Sequence, residues 1–137
     1  MDGQTLVSGG GVDATEKVYE LNPFREVAAY PLEMGWITRL VFSPDGQTLA
    51  VSGGSFHRPG EIKLLNWPGC MERRRFIVAA NSVSSVVFTR DGKMLIAGTA
   101  PVSPFTARPE GELYRWNLGD GSALLPLRAA GVLKPQP

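Results

Sequence analysis

The sequence predicts an all-β protein made of repeated antiparallel sheets, and three observations support that fold class. A turn-forming motif, Asp-Gly-Gln-Thr-Leu at residues 2–6, recurs unchanged at residues 45–49 and in weaker form at residues 91–95. The segments beside these turns are short and rich in β-branched residues, which favours strands over helices. Sixteen glycines and eleven prolines fall between short apolar runs, as expected where many strands are joined by turns.

The segments before the second and third turns are predicted to be the innermost strands of two sheets. Residues 37–43 and 83–89 align residue for residue and are apolar on both faces near their ends, as strands covered by neighbouring sheets should be. The second strands follow the turns, at residues 5–9, 48–53 and 94–98. The middle copy holds one extra residue at Ala50 and Val51, which predicts a β-bulge there.

The third and outer strands complete each sheet. Third strands are predicted at residues 17–22, 62–66 and 113–117, each closing on an apolar residue followed by Asn. Outer strands are predicted at residues 25–30, 72–78 and 123–128, where polar and charged side chains suit an edge facing water. Because alternate residues of a strand face opposite sides, Arg73, Arg74 and Arg75 are expected to protect this edge rather than to form one continuous basic patch.

The repeat spacings, 43 and 46 residues, match one four-stranded blade of a β-propeller, for which about 40 to 45 residues is usual. The chain is therefore predicted to be antiparallel four-stranded blades of a partial β-propeller, about 2.75 blades in all. One domain is expected over residues 1–137. Its parts are blade one at 1–30 without an innermost strand, blade two at 37–78, blade three at 83–128 and a tail at 129–137.

The sequence resembles the WD-repeat family. Phe-Ser-Pro-Asp-Gly at residues 42–46 is followed by a small-residue strand ending Ser-Gly-Gly at 52–54. Trp116 and Asn117 stand in the place of the family's Trp-Asp pair, and residues 65–66 and 21–22, both Leu-Asn, are aligned with it in degenerate form. The family's Gly-His pair aligns with Leu32 and Glu33 in one blade and with the region of Ala79 in the other. Without that His the family's buried hydrogen-bond network cannot form, so the chain is interpreted as a divergent member.

Fewer than three blades leave two apolar sheet faces uncovered, because each blade buries its faces only against a neighbour. Two explanations are open. The chain is a fragment whose remaining blades belong to a longer protein, or two copies associate. In the second case residues 131–133 of one copy would supply the missing innermost strand of the other, over a length limited by Pro135 and Pro137.

The composition excludes several functional classes. A net charge of +1 over 137 residues offers no basic footprint for nucleic acid or for a membrane surface. The single cysteine, Cys70, cannot form an internal disulfide, and no Cys/His cluster is present to hold a metal. No stretch has the length and apolarity of a membrane span or a signal peptide. These features predict a cytoplasmic protein without cofactor or metal.

Loops on one rim are the candidate binding elements. The connections from second to third strand lengthen along the chain, and long loops on a rigid scaffold commonly carry recognition. Two of them hold neighbouring aromatic and basic residues, the types that dominate interface energetics. The hypothetical partner site consists of Phe56, His57, Arg58, Phe105 and Arg108. The alternative is that the phenylalanines pack the loops down and the arginines are solvated or paired with Glu61 and Glu112.

The expected function is a non-catalytic scaffold for a protein or peptide partner, as the resemblance implies. His57 is the only histidine, and no nucleophile with a base or paired carboxylates accompanies it, so no catalytic residues are assigned. The alternatives are a fragment of an enzyme or cofactor-dependent propeller, or a regulatory propeller domain attached to an enzyme, because fold does not fix function.

Overall fold

The described residues of the computed structural model, 3–55, 58–78, 82–100, 111–120 and 123–127, form strands and turns without a helix. The strands make three antiparallel sheets. Blade one contains β1 (Thr5–Gly9), β2 (Thr15–Leu21) and β3 (Phe24–Pro31). Blade two contains β4 (Trp36–Phe42), β5 (Thr48–Ser55), β6 (Arg58–Asn66) and β7 (Met71–Ile77). Blade three contains β8 (Ser82–Phe88), β9 (Met94–Ala100), β10 (Leu113–Asn117) and β11 (Ala123–Leu127).

The predicted fold class is confirmed. In each sheet the strands are hydrogen-bonded in chain order, with the predicted innermost strand at one edge in blades two and three. Blade one has three strands, β1-β2-β3, in the described residues. β1 and β10 have the predicted bounds, and β4 and β8 each begin and end one residue earlier than predicted. The chain therefore folds as a partial β-propeller of successive antiparallel blades.

The repeated Asp-Gly motif folds into the same turn in blades two and three. In blade two the Ser43 hydroxyl donates to Asp45 Oδ1 over 2.5 Å, and the amide of Gln47 donates to the same oxygen over 3.0 Å. Gly46 has φ +70°, a left-handed conformation that favours glycine. In blade three Thr89 donates to Asp91 Oδ1 over 2.6 Å, and the amide of Lys93 donates to it over 3.0 Å with Gly92 again at φ +70°. Conserved turn chemistry thus fixes the start of each second strand.

The register corrects the predicted position of the closing pair in blade one. Asn66 and Asn117 lie opposite the first residue of their second strands, Thr48 and Met94. In blade one the residue opposite Thr5 is Glu20, not Asn22. Tyr19 and Glu20 therefore occupy the place predicted for Leu21 and Asn22. A shift of two residues keeps every side chain on its original face, so the alternation of the sequence does not reveal it.

The β-bulge predicted at Ala50 and Val51 is also wrong in position. Both residues pair regularly, opposite Val41 and Leu40 on one side. The register shift in the inner pair of blade two falls on β4, between Ile37 and Arg39, and blade three has the same shift on β8 between Val83 and Ser85. The extra residue of each innermost strand is Thr38 or Ser84. These bulges are thus a shared feature of the repeat.

Two apolar cores lie between the sheets rather than inside them. One joins blades one and two and includes Leu49, Val51 and Leu65 with Val7 packed against them. The other joins blades two and three and includes Ile62 and Phe76 together with Val86, Leu95 and Trp116. The innermost strands are also tied directly, because the Thr38 hydroxyl donates to the carbonyl of Val83 over 2.5 Å. Each sheet is therefore kept dry by its neighbour.

The outer faces of blades one and three carry exposed apolar side chains. On blade one, Leu6 and Leu21 are exposed and Phe24 is 68% exposed, with its ring stacked on Tyr19 at 5.4 Å. On blade three, Val87 is 51% exposed and Leu113 is also exposed. On blade three the exposed face corresponds to a core-forming face of blade two. Val87 pairs with Ile96 as Val41 pairs with Ala50 in blade two. The expectation of two uncovered apolar faces is thus met in this chain. The tail at residues 131–133, proposed to supply a missing strand, lies outside the described residues.

Candidate binding site

A cleft of about 520 Å³ lies on the predicted rim, between blades one and two. Val12, Asp13 and Ala14 come from the β1–β2 connection, and Pro31, Glu33 and Met34 come from the β3–β4 connection. Arg58, the first residue of β6, completes it. Two consecutive connections of blade one and one strand of blade two therefore build this rim cleft.

Local hydrogen bonds hold the two loops of blade one in place. Asp13 Oδ1 accepts from the amide of Thr15 over 3.2 Å, and the amide of Gly10 donates to the carbonyl of Thr15 over 2.8 Å. The amide of Leu32 donates to the carbonyl of Ala14 over 3.0 Å, which joins one loop to the other. Ala14 and Glu33 both have left-handed φ values, 47° and 49°, which non-glycine residues adopt only where the surroundings impose them.

The floor of the rim cleft is apolar and its edge is charged. Ala14 and Met34 are buried, whereas Val12 is 93% exposed at the mouth. Asp13 and Glu33 bring two carboxylates, and Arg58 brings a guanidinium that donates to the carbonyl of Glu33 over 3.4 Å. The rim cleft therefore offers a partner mainly charged and polar groups, with Val12 as its exposed apolar contact.

Among the predicted site residues, Arg58 is the one that the structure locates. It is exposed and lies in the rim cleft. Phe56, His57, Phe105 and Arg108 lie outside the described residues, so their grouping with Arg58 stays a prediction. Of the two alternatives for Arg58, pairing with Glu61 is not what the structure shows, because the ion pair of Glu61 in the described residues is with Arg75, at 3.9 Å. The other alternative, a solvated Arg58, agrees with its exposure.

Sequence reasoning missed Val12, Glu33 and Met34. Val12 could have been found, since an apolar residue in a glycine-rich loop has no strand face on which to be buried. Glu33 and Met34 carried no such signal, because they join the cleft only through the way blade one packs on blade two. The predicted lengthening of the second-to-third connections is wrong for blade two, because five residues separate β1 from β2 and only two separate β5 from β6. Loop length therefore did not point to this cleft.

A second group of chemical interest, Glu16 and Cys70, lies in the interior. Glu16 is 0% exposed, and its Oε1 accepts from the Cys70 thiol over 3.2 Å. Burial raises the pKa of the Glu16 carboxyl, an effect that the thiol hydrogen bond partly offsets. Burial, followed by the hydrogen bond and the charge of Glu16, raises the pKa of Cys70 to about 12. The thiol is therefore protonated at neutral pH and is not an activated nucleophile.

No group of three or more His, Cys, Asp or Glu side chains in the described part of the chain could hold a metal ion. None of the described segments is a helix long and apolar enough to cross a membrane.

The chain is similar to known proteins in its fold only. No family model and no curated protein matches the chain. Among solved structures, the hydrazine synthase of Kuenenia stuttgartiensis aligns with 91% of this chain at a TM-score of 0.78 and 18% sequence identity. The aligned part is 34% of that chain, so this protein spans about a third of its length. At this identity the likeness shows a common fold alone.

Proposed function

We propose that this chain is part of a divergent WD-repeat propeller and acts as a non-catalytic scaffold in the cytoplasm, binding a protein or peptide at the rim between blades one and two. The observation that carries the proposal is the rim cleft, which brings an exposed Val12, a buried apolar floor and the predicted Arg58 together in one concave site. Loops on a rigid sheet scaffold are the usual place for recognition.

The shape and chemistry of the rim cleft suit a short peptide segment. Its volume, about 520 Å³, falls in the range of ordinary ligand sites. An apolar side chain of the partner would cover Val12, while the Asp13 carboxylate would accept hydrogen bonds from the partner and the Arg58 guanidinium would donate them. Burial of Val12 would contribute most to the binding free energy, because its apolar side chain is almost wholly exposed to water.

Pre-organisation strengthens the proposal. The bonds from Gly10 to Thr15 and from Leu32 to Ala14 fix both loops before a partner arrives, so little conformational entropy is lost on binding. The exposed guanidinium of Arg58 is oriented by a single 3.4 Å bond to a backbone carbonyl. It can therefore turn toward a partner without leaving a buried charge unpaired.

The test is selection of peptides from a displayed random library on the intact chain, followed by binding measurements with the variants Val12→Ser and Arg58→Ala. We expect each variant to weaken the selected peptides about tenfold, as for a residue at the centre of an interface. Arg90→Ala is the matched control, since Arg90 is exposed and lies at the opposite end of blade three. Peptides that bind Val12→Ser and Arg58→Ala as tightly as the unchanged chain would reject the rim cleft as the site.

A further inference from the structure

A second cleft, of about 390 Å³, lies at the other end of the sheets, between blades two and three. The Asp-Gly turns of both blades, the start of β7 and the turn after β10 surround it. Its floor is formed by Leu64, Phe88 and Leu118, and cationic side chains line its wall. We infer that this basal cleft is a separate binding site for a peptide segment that presents an acidic side chain beside apolar neighbours.

A β-bulge creates the basic wall. Leu64 lies opposite Arg74 and Leu65 lies opposite Glu72, so Arg73 is an extra residue on β7. In a regular strand Arg73 and Arg74 would face opposite sides, but a bulge interrupts that alternation. Both arginines line the basal cleft. The prediction that alternation separates them is therefore wrong for this pair, although Arg75 does pair elsewhere, with Glu72 over 3.0 Å.

The cations of the basal cleft differ in how firmly they are held. The Arg74 guanidinium donates to the carbonyl of Leu118 over 3.4 Å and lies 6.0 Å from the centre of the Phe76 ring. These contacts orient Arg74 in advance.

Arg73 and Lys93 form no ion pair within the part of the chain that the structure describes. Arg73 lies near enough to Asp45, and Lys93 near enough to Asp91, to help lower the pKa of each carboxyl. Because these contacts are not ion pairs, both cations can still donate to an anionic group, and such charged hydrogen bonds are about twice as strong as neutral ones.

Two carboxylates restrict what the basal cleft can accept. Asp45 and Asp91 also line it, and each uses Oδ1 in its own turn. The hydroxyl of Ser43 or Thr89, followed by a backbone amide, lowers the pKa of each carboxyl, so both are ionised at neutral pH. A continuous polyanion such as nucleic acid would be repelled by this pair. A single acidic side chain flanked by uncharged residues brings only one negative charge to the cations and the apolar floor, and so meets much less of that repulsion.

The test compares two short peptides that differ only in charge. Acetyl-Leu-Glu-Leu-amide and acetyl-Leu-Gln-Leu-amide are titrated into the intact ¹⁵N-labelled chain, and amide shifts are followed by NMR. We expect the acidic peptide to bind about tenfold more tightly, with shifts concentrated at Gln47, Gly92 and Leu118. Arg73→Gln with Lys93→Gln should abolish the difference between the peptides. The control Arg90→Gln removes a charge near the same turn, from a residue that does not line the cleft, and should preserve the difference.

Equal affinity for the two peptides, shifts centred on the rim cleft, or no binding of either peptide would overturn the inference. Tighter binding of a single-stranded oligothymidylate, with loss in the Arg73→Gln and Lys93→Gln variant, would overturn it in favour of a nucleic-acid site. If the double variant fails to fold, Lys93→Gln alone serves, since Lys93 is exposed in a turn. Failure here leaves the rim proposal untouched, because the two clefts share no residue.

Discussion

At the scale of single residues, the most unusual side chain is Glu16. It is fully buried where blade one packs on blade two, and its Oε2 has no hydrogen-bond partner among the described residues. Burying an ionised carboxylate without a partner is very costly, and such a group instead holds its proton. This cost of burying the charge raises the pKa of Glu16. A protonated Glu16 can remain in the core, but an ionised one opposes the packing of the two blades.

Glu16→Gln should therefore change how stability depends on pH. In the unfolded chain Glu16 loses its proton near pH 4.5, whereas in the folded chain burial keeps the proton to higher pH. The unchanged protein thus loses stability as pH rises above 4.5 toward the raised pKa, and the variant does not. Thermal melts from pH 4 to pH 8 should show Glu16→Gln gaining relative stability as pH rises. Glu20→Gln, the same change at a partly exposed position of the same strand where the carboxylate is paired with Arg25, is the control, and a gain of equal slope there would contradict this explanation.

Individual site residues could be predicted only in part. Arg58 was predicted because it lies close to an aromatic residue in a connection between strands, and that combination is visible in the sequence. The pairing of Arg73 with Arg74 in one cleft was not, because the bulge that brings them together depends on which residues of β6 they face. Burial of Cys70 likewise depends on Glu16, which lies 54 positions away in the chain.

At the scale of elements, the Asp-Gly turn explains why the strands could be placed from sequence. The hydroxyl oxygen two residues before the Asp also accepts a hydrogen bond from the backbone amide of the first residue of the second strand. The amide of Thr48 donates to Ser43, and the amide of Met94 donates to Thr89, over 3.0 Å in both blades. These bonds are local, so the residues that make them lie within a few positions of one another. The start of each second strand is therefore encoded where it occurs.

Gly92→Ala should destabilise the chain by about 1 kcal/mol, because an alanine at φ +70° is strained. The added Cβ meets no obstacle, since the nearest atom, Pro44 Cδ, is 3.8 Å away. The effect would thus come from the backbone alone. Urea unfolding measures it. Gly11→Ala is the control, as nothing lies within 4 Å of its added Cβ and its φ is not positive. Equal stability of the two variants would show that the turn does not depend on its glycine.

Register between distant strands was the element-level feature that sequence could not fix. The Leu-Asn pair at residues 21–22 looks like the pairs at 65–66 and 116–117, yet Tyr19 and Glu20 take that place. The two registers differ only in the length of the connection from β1 to β2. Because they are two residues apart, both leave the same side chains facing the core, and the sequence pattern cannot distinguish them. The bulge was misplaced for a related reason, since β4 and β8 both carry it and an alignment of the two blades therefore shows no gap at that point.

At the scale of the whole molecule, stability comes from stacking between blades. Both apolar cores lie between sheets, so the middle blade is covered on two faces and each outer blade on one. The uncovered faces carry Phe24 on one side and Val87 on the other. Exposed apolar patches of this kind mark surfaces that associate. The uncovered faces could be predicted from the repeat, because each four-stranded blade buries its apolar faces only against neighbouring blades.

The isolated chain should therefore self-associate as its concentration rises from low to high micromolar, and Val87→Glu should restore the monomer by placing a charge on the open face of blade three. Size-exclusion chromatography with light scattering reports the mass. Val12→Glu, an equal charge change at an exposed loop residue away from both open faces, should leave association unchanged. A monomer at every concentration, or a loss of association in Val12→Glu, would show that these faces do not drive it.

The central claim is that consecutive blades stack face to face, and methyl-to-methyl nuclear Overhauser effects test it most directly. The account predicts cross-peaks from Ile62 and Leu64 to Val86 and Leu95, across blades two and three, and from Val7 to Leu49, across blades one and two. A spectrum with the strand pairings intact within each sheet but without these cross-peaks between sheets would contradict it.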